Sequence, residues 1–168
     1  MLLFKFYYHT IAILTKLMYK LVYMGNVHFG HNVTFRKSFS LIIENSGKVL
    51  IGNNVFFNNF CSVCAYEKIE IGEGTIFGEN VKIYDHNHNY DNPNVSIKSQ
   101  GYKSAPIHIG KHCWICSNTV ILKGVTIGDN CVIGAGCVIH KDIPSNSVIV
   151  NRQDVANISD TYSGTTNN

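Results

Sequence analysis

The sequence predicts an all-β chain: a left-handed parallel β-helix, preceded by an N-terminal α-helix and interrupted by one extruded loop. Three observations predict this. Aliphatic residues recur every sixth position through two long blocks. The first 24 residues lack that period and contain no acid, glycine or proline. Between the blocks, after Ile83 and before Ile107 or Ile109, the period gives way to a polar segment with two histidines.

At 168 residues the chain has the length of one domain, and an apolar fraction of 45% is that of a folded globular protein. The net charge of +3 is mild and its lysines and arginines are scattered, which argues against a nucleic-acid partner. The organisation divides into residues 1–24, residues 25–150 with an extruded loop at 84–106, and a polar tail at 151–168.

The opening segment, "MLLFKFYYHTIAILTKLMYKLVYM", places Lys5, His9, Lys16 and Lys20 within about 60° of one another on a helix and leaves the rest apolar or aromatic. Internal lysines disfavour both a secretory signal and a spanning helix. Two uses remain open. The helix lies on a membrane with lysines toward anionic headgroups, or it packs over the open end of the β-helix or against a partner chain.

The regular blocks fix the architecture. From Ile109 the chain reads "IGKHCW ICSNTV ILKGVT IGDNCV IGAGCV IHKDIP". The same phase runs through "IGNNVF FNNFCS VCAYEK" from Ile51 and "IGEGTI FGENVK IY" from Ile71, with a weaker start at Val27 and Val33. A period of six fits a chain that turns a corner every six residues, with three flat sides per coil. The first position fills a corner of the interior, and the fifth points inward where only a small side chain fits. Glycine after the aliphatic is read as relieving the backbone at the turn. Stacked coils then bury one continuous apolar column.

Six cysteines admit two readings. "CSVC" and "CWIC" have the look of zinc pairs. The repeat explains them better: Cys61, Cys113, Cys131 and Cys137 fall at fifth positions and Cys64 and Cys116 at second positions, where small residues belong. No metal is expected, and unpaired cysteines suit a reducing compartment.

A solenoid tolerates an extruded loop, because each coil touches only its neighbours. The segment "VKIYDHNHNYDNPNVSIKS" is such a loop. A neutral imidazole there has the pKa to accept a proton from a weakly nucleophilic hydroxyl at neutral pH.

The hexads, "YDHNHNYD", "SAPIHIGKHCWI", "ILKGVTIGDNCVIGAGCVI" and "KDIPSNSVIV", in that order, make residues 25–150 resemble the hexapeptide-repeat acyltransferases, and within them the maltose, galactoside and polysaccharide O-acetyltransferase branch. The resemblance implies a homotrimer in which acceptor and acetyl-coenzyme A meet in a cleft between two subunits. It implies a loop histidine as general base. "HNYD" matches the family's His-Pro-x-Asp/His segment and selects His88, with Asn89 in place of proline. His86 becomes a neighbour that binds acceptor or shapes the loop. Asn58 corresponds to an asparagine lining the acceptor and thioester region, and Tyr66 or Glu67 to an acidic acceptor-binding position. Asp85, Asp91 and Glu67, on the acceptor side, are the candidates to fix the imidazole tautomer.

On the coenzyme side the resemblance assigns Trp114 to the cleft wall, the Ser117 backbone N–H to the thioester carbonyl, and Gly134 and Ala135 of "IGAG" to pantetheine. His140 and Lys141 fall near the phosphates. One segment departs from the family: "VNRQDVAN" lacks the G-x-P-A-[KR] turn, although Arg152 is close by.

These residues point to an acetyl-coenzyme A-dependent O-acetyltransferase acting on a carbohydrate hydroxyl in cell-surface polysaccharide biosynthesis. The setting expected is the cytoplasm, at the inner membrane surface if residues 1–24 touch lipid. The alternatives are N-acetylation of an amino sugar or xenobiotic, and a β-helix scaffold without activity.

Overall fold

The computed structural model describes residues 2–151, with side chains from Phe6 onward; Arg152 and the rest of the tail lie outside the described residues. A helix, α1, runs Leu2–Tyr23. The chain then winds into a left-handed parallel β-helix with three faces. Face A stacks Val27–Phe29, Lys48–Ile51, Lys68–Ile71, Ile107–Ile109 and Thr126–Ile127. Face B stacks Thr34–Phe35, Phe56–Phe57, Ile76–Phe77, Trp114–Ile115, Val132–Ile133 and Val148–Ile149. Face C stacks Ser40–Ile43, Ser62–Ala65, Lys82–Tyr84, Val120–Ile121 and Val138–Ile139.

First and fifth positions point inward, as the period requires. Ile109, Ile115, Ile121, Ile127 and Ile133 are buried, as are Cys113, Thr119, Val125, Cys131 and Cys137 between them. On face B the column is aromatic toward the N-terminus, with Phe57 and Phe77 stacked at 4.5 Å, and aliphatic beyond Ile115. The fifth-position slot also satisfies a polar atom. Thr75 Oγ1 donates to Gly110 O at 2.8 Å, and the thiols of Cys61 and Cys113 reach Gly78 O and Gly128 O at 3.1 and 3.2 Å. Burial pushes both thiols above their ordinary pKa, which keeps the proton that makes this contact. All six cysteines are free, and among the described residues no group of three or more His, Cys, Asp or Glu could hold a metal ion.

Two details of the period differ from the sequence reading. The first coil is phased by Phe29, Phe35 and Leu41, which pair in register with Ile51, Phe57 and Val63; Val27 and Val33 are buried fifth positions. Likewise Ile107 is a fifth position and Ile109 restarts the hexads. The turn itself is made at the fourth position, where Asn32, Asn54, Asn80, Asn118 and Asn130 take positive φ. The second-position glycine answers a different need. A Cβ on Gly72 would lie 2.5 Å from the carbonyl carbon of Gly110, so glycine there lets coils approach rather than turn.

Helix α1 covers the open end of the first coil. Ala12 and Tyr19 are buried against it. Edge groups that elsewhere pair with a preceding coil are met by side chains of α1: Lys16 Nζ donates to Val33 O at 3.0 Å, Tyr23 OH to Leu41 O at 3.1 Å, and Leu41 N to Tyr19 OH at 3.1 Å. An exposed strand edge is thereby closed.

Candidate active site

The three corners of the prism carry different chemistry. The corner between faces A and B is tight and regular. Every insertion falls at the corner between faces C and A. The first is the turn closed by Gly47 N donating to Glu44 O at 3.0 Å, the second is Tyr66–Glu67, and the third is the extruded loop.

That loop is an ordered hairpin. His86–His88 pairs antiparallel with Tyr102–Ser104, which sets His88 opposite Tyr102. Its far end is tied by Gln100, whose Nε2 donates to Val95 O at 2.8 Å and whose Oε1 accepts from Asn92 N at 3.0 Å. Its base is tied by Asp85. This carboxylate is fully buried and accepts the backbone N–H groups of Tyr66, Glu67 and Lys68 at 2.7, 2.8 and 2.8 Å. Its Oδ1 also lies 2.9 Å from His86 Nδ1.

Asp85 is therefore an anchor between coils rather than a group facing an acceptor. A carboxylate accepts at Nδ1 only from a protonated nitrogen, so the contact turns the basic Nε2 of neutral His86 outward. The His86 side chain is only 16% exposed, among the rings of Tyr66 and Tyr102. His88 is exposed, with its ring 4.5 Å from that of Tyr102. It opens on a polar cleft of about 310 Å³ that it shares with Asn87, Asp91, Lys103 and Lys123. Among the described residues no acid hydrogen-bonds His88, although Asp91 shares its cleft; the acid that fixes an imidazole here fixes His86. Glu67 is exposed at the same corner. Tyr102, Lys103 and Lys123 were not marked by the sequence, and only the hairpin pairing and the next coil bring them to His88.

The remaining candidates divide. His140 and Lys141 lie at the corner between faces C and A, on the hairpin's side and exposed. Asn58, Ser117, Gly134 and Ala135 stack along the corner between faces B and C, and Trp114 sits beside them on face B, 52% exposed. Within one chain the width of face C separates the two groups.

The B–C corner contains a break in a side-chain ladder. In several coils a third-position N–H donates to a third-position side chain one coil on: His31 to Asn53, Lys37 to Asn59, Lys111 to Asp129, Asp129 to Ser145; the N–H groups of Asn53 and Glu73 make no such bond among the described residues. Glu79 N donates in this way to Ser117 Oγ at 3.0 Å. One coil later the position is Ala135, which has no acceptor. Among the described residues, the Ser117 N–H meets none. The corner thus offers a fixed backbone donor beside an exposed indole.

Outward from Trp114, face B presents a stripe of side chains, Phe56, Ile76, Trp114, Val132 and Val148, paired in register along the prism.

Residues 106–141 match the family model described as bacterial transferase hexapeptide (six repeats). The chain is 30% identical over 132 residues to a protein of Escherichia coli K12 named as a lipopolysaccharide biosynthesis O-acetyl transferase, WbbJ, covering 74% of this chain and 67% of that one. It is 36% identical over 127 residues to the galactoside O-acetyltransferase of the same organism, covering 75% of this chain and half, 50%, of that one. Its fold superposes with a TM-score of 0.64 on a hexapeptide-repeat acetyltransferase of Vibrio cholerae O1 biovar eltor solved with acetyl-coenzyme A, at 26% identity over 73% of this chain and 64% of that one.

Proposed function

Since the chain belongs to the bacterial hexapeptide-repeat transferases, we propose that it moves an acetyl group from acetyl-coenzyme A to a carbohydrate hydroxyl, in a site shared by two copies of the chain. The observation that carries this reading is the Ser117 N–H, which meets no acceptor among the described residues and lies beside exposed Trp114, a preorganised donor of the kind a thioester oxyanion needs. His88 of the hairpin is the base. It takes the acceptor's proton as the hydroxyl oxygen attacks the thioester carbonyl. The carbonyl oxygen becomes an oxyanion held by Ser117 N–H, the C–S bond breaks, and the imidazolium returns its proton to the departing thiolate.

The separation of the two residue groups supports the shared site. A second copy whose C–A corner faces this chain's B–C corner would bring His88, His140 and Lys141 to Trp114, Ser117 and Ala135. Cyclic repetition gives a trimer with three such sites, and the apolar stripe on face B is surface that such packing, or a pantetheine arm, would cover. Lys141 is the cation suited to a coenzyme phosphate. The exposed asparagines and lysines around His88 suit a polyhydroxylated acceptor. The likeness to WbbJ favours a surface-polysaccharide role.

The second reading keeps the reaction and moves the base to His86, which Asp85 orients. His88 is preferred because an acceptor can reach it.

Release of free coenzyme A thiol from acetyl-coenzyme A, with a panel of sugars and glycan fragments, tests the activity. Ala135→Ser is the informative variant. Its hydroxyl would accept Ser117 N–H as Ser117 Oγ accepts Glu79 N, with an expected fall in turnover of about 10²–10³-fold. Absence of release with every acceptor, together with absence of coenzyme binding by calorimetry, would move the assignment to a scaffold.

A further inference from the structure

Helix α1 faces two ways. Its inner side closes the first coil through Ala12, Lys16, Tyr19 and Tyr23, so Lys16 serves the protein's own backbone. Among the described residues nothing covers its outer side. Phe6, Ile13, Leu14, Leu17, Leu21 and Val22 project there, each more than half exposed, with Leu21 at 71%. They leave on the order of 700 Å² of apolar surface bare, above the roughly 300–600 Å² that is the largest patch of a typical monomer. Among the described residues, no helix is long and apolar enough to cross a membrane.

The charge of α1 and of the first coil as far as Ile43 has one sign; the first acid, Glu44, follows at the C–A corner of that coil. Residues 1–43 contain no aspartate or glutamate, and they hold Lys5, Lys16, Lys20, Arg36 and Lys37. The cations sit on both flanks of the helix. One flank is a cleft of about 470 Å³ between α1 and the first coil, lined by Lys16, Lys20 and His31. The other, of about 310 Å³, is lined by Arg36 and Lys37. Arg36 is exposed, although its guanidinium also touches Asn58 Oδ1 at 3.3 Å. Burial, and secondarily the nearby Lys20, hold Lys16 below its ordinary pKa.

We propose that this end of the β-helix docks on an anionic lipid bilayer, with the outer face of α1 in the headgroup–acyl boundary and lipid phosphates in the two flanking clefts. The apolar strip supplies burial and the flanks supply charge complementarity, the combination by which interfacial helices hold to anionic membranes. A second copy of the chain is the poorer occupant. A two-fold contact through this face would set each basic flank against a basic flank. The face lies at the first-coil end of the prism; one flanking cleft meets the B–C corner there, where Arg36 touches Asn58, whereas Ser117, Ala135 and the hairpin lie in later coils. The proposal does not depend on the transferase reading.

Co-sedimentation of the full chain tests it, with vesicles of phosphatidylcholine and with vesicles of phosphatidylcholine and phosphatidylglycerol. The chain is expected in the pellet with the mixed vesicles, with affinity at least about tenfold lower for phosphatidylcholine alone and falling with added salt. Leu17→Glu/Leu21→Glu should remain in the supernatant with an unchanged circular dichroism spectrum. Lys20→Glu/Lys37→Glu should lose affinity for the anionic vesicles by at least about fivefold per site. Wild-type chain left in the supernatant with both vesicles would overturn the proposal. So would equal binding to the two. An end-to-end doubling of mass by light scattering that Leu17→Glu/Leu21→Glu abolishes would assign the face to a second copy instead.

Discussion

Replacing His88 by alanine is expected to lower turnover by about 10²–10⁴-fold, the contribution of a positioned general base. The unfolding free energy should stay within about 0.5 kcal/mol, because the side chain is exposed and holds no described hydrogen bond. His86→Ala should behave in the opposite way. It removes the Nδ1 contact to buried Asp85 and a ring packed against Tyr66 and Tyr102, so about 1–3 kcal/mol of stability should be lost. Turnover should fall by less than about tenfold if His86 only supports the hairpin, well short of the loss for a missing base. Thiol release and urea unfolding on both variants separate the two roles. A large loss of turnover for His86→Ala at full stability, with His88→Ala nearly active, would transfer the base to His86.

Asp85→Ala is expected to be the most destabilising change in the hairpin region. Three backbone N–H groups converge on this one carboxylate from the Tyr66–Lys68 turn, a coil away. Removing the acceptor leaves three part-buried donors unpaired, at a cost of about 3–5 kcal/mol in total. The Tyr66–Lys68 turn and the hairpin base should loosen together, so amide exchange at Tyr66, Glu67 and Lys68 should accelerate along with the fall in the urea midpoint. Asp85→Asn keeps one acceptor oxygen and should recover part of the stability. An Asp85→Ala protein as stable as wild type would mean that the turn finds other acceptors and that Asp85 is no anchor.

The regular part of this fold is legible because it is written in first and fifth positions. Six isoleucines from Ile109 to Ile139 leave no other period. The first coil was harder. Phe29, Phe35 and Leu41 are inward residues like Val27 and Val33, and the insertion at Glu44–Gly47 hides the spacing to Ile51. Asp85 reads as one more polar letter in a polar loop; its partners lie 17 to 19 residues upstream, and only stacking brings them near.

The division of the candidate residues between two corners was available in principle. Hexads three apart share a face, so counting them sets Asn58, Ser117 and Ala135 on one corner and the hairpin on another. The same count would have aligned Lys37, Asn59, Glu79, Ser117 and Ala135 and exposed the missing acceptor. Tyr102 carried no signal of its own, since its place beside His88 comes from hairpin pairing.

The shared site can be tested by complementation. His88→Ala chains keep an intact B–C corner, and Ala135→Ser chains keep an intact hairpin. Dissociated, mixed in equal amounts and reassembled, every mixed trimer would hold one undamaged site, and thiol release should return to about a quarter of the wild-type rate. A mixture no more active than the mean of the two variants alone would contradict a site built from two copies of the chain.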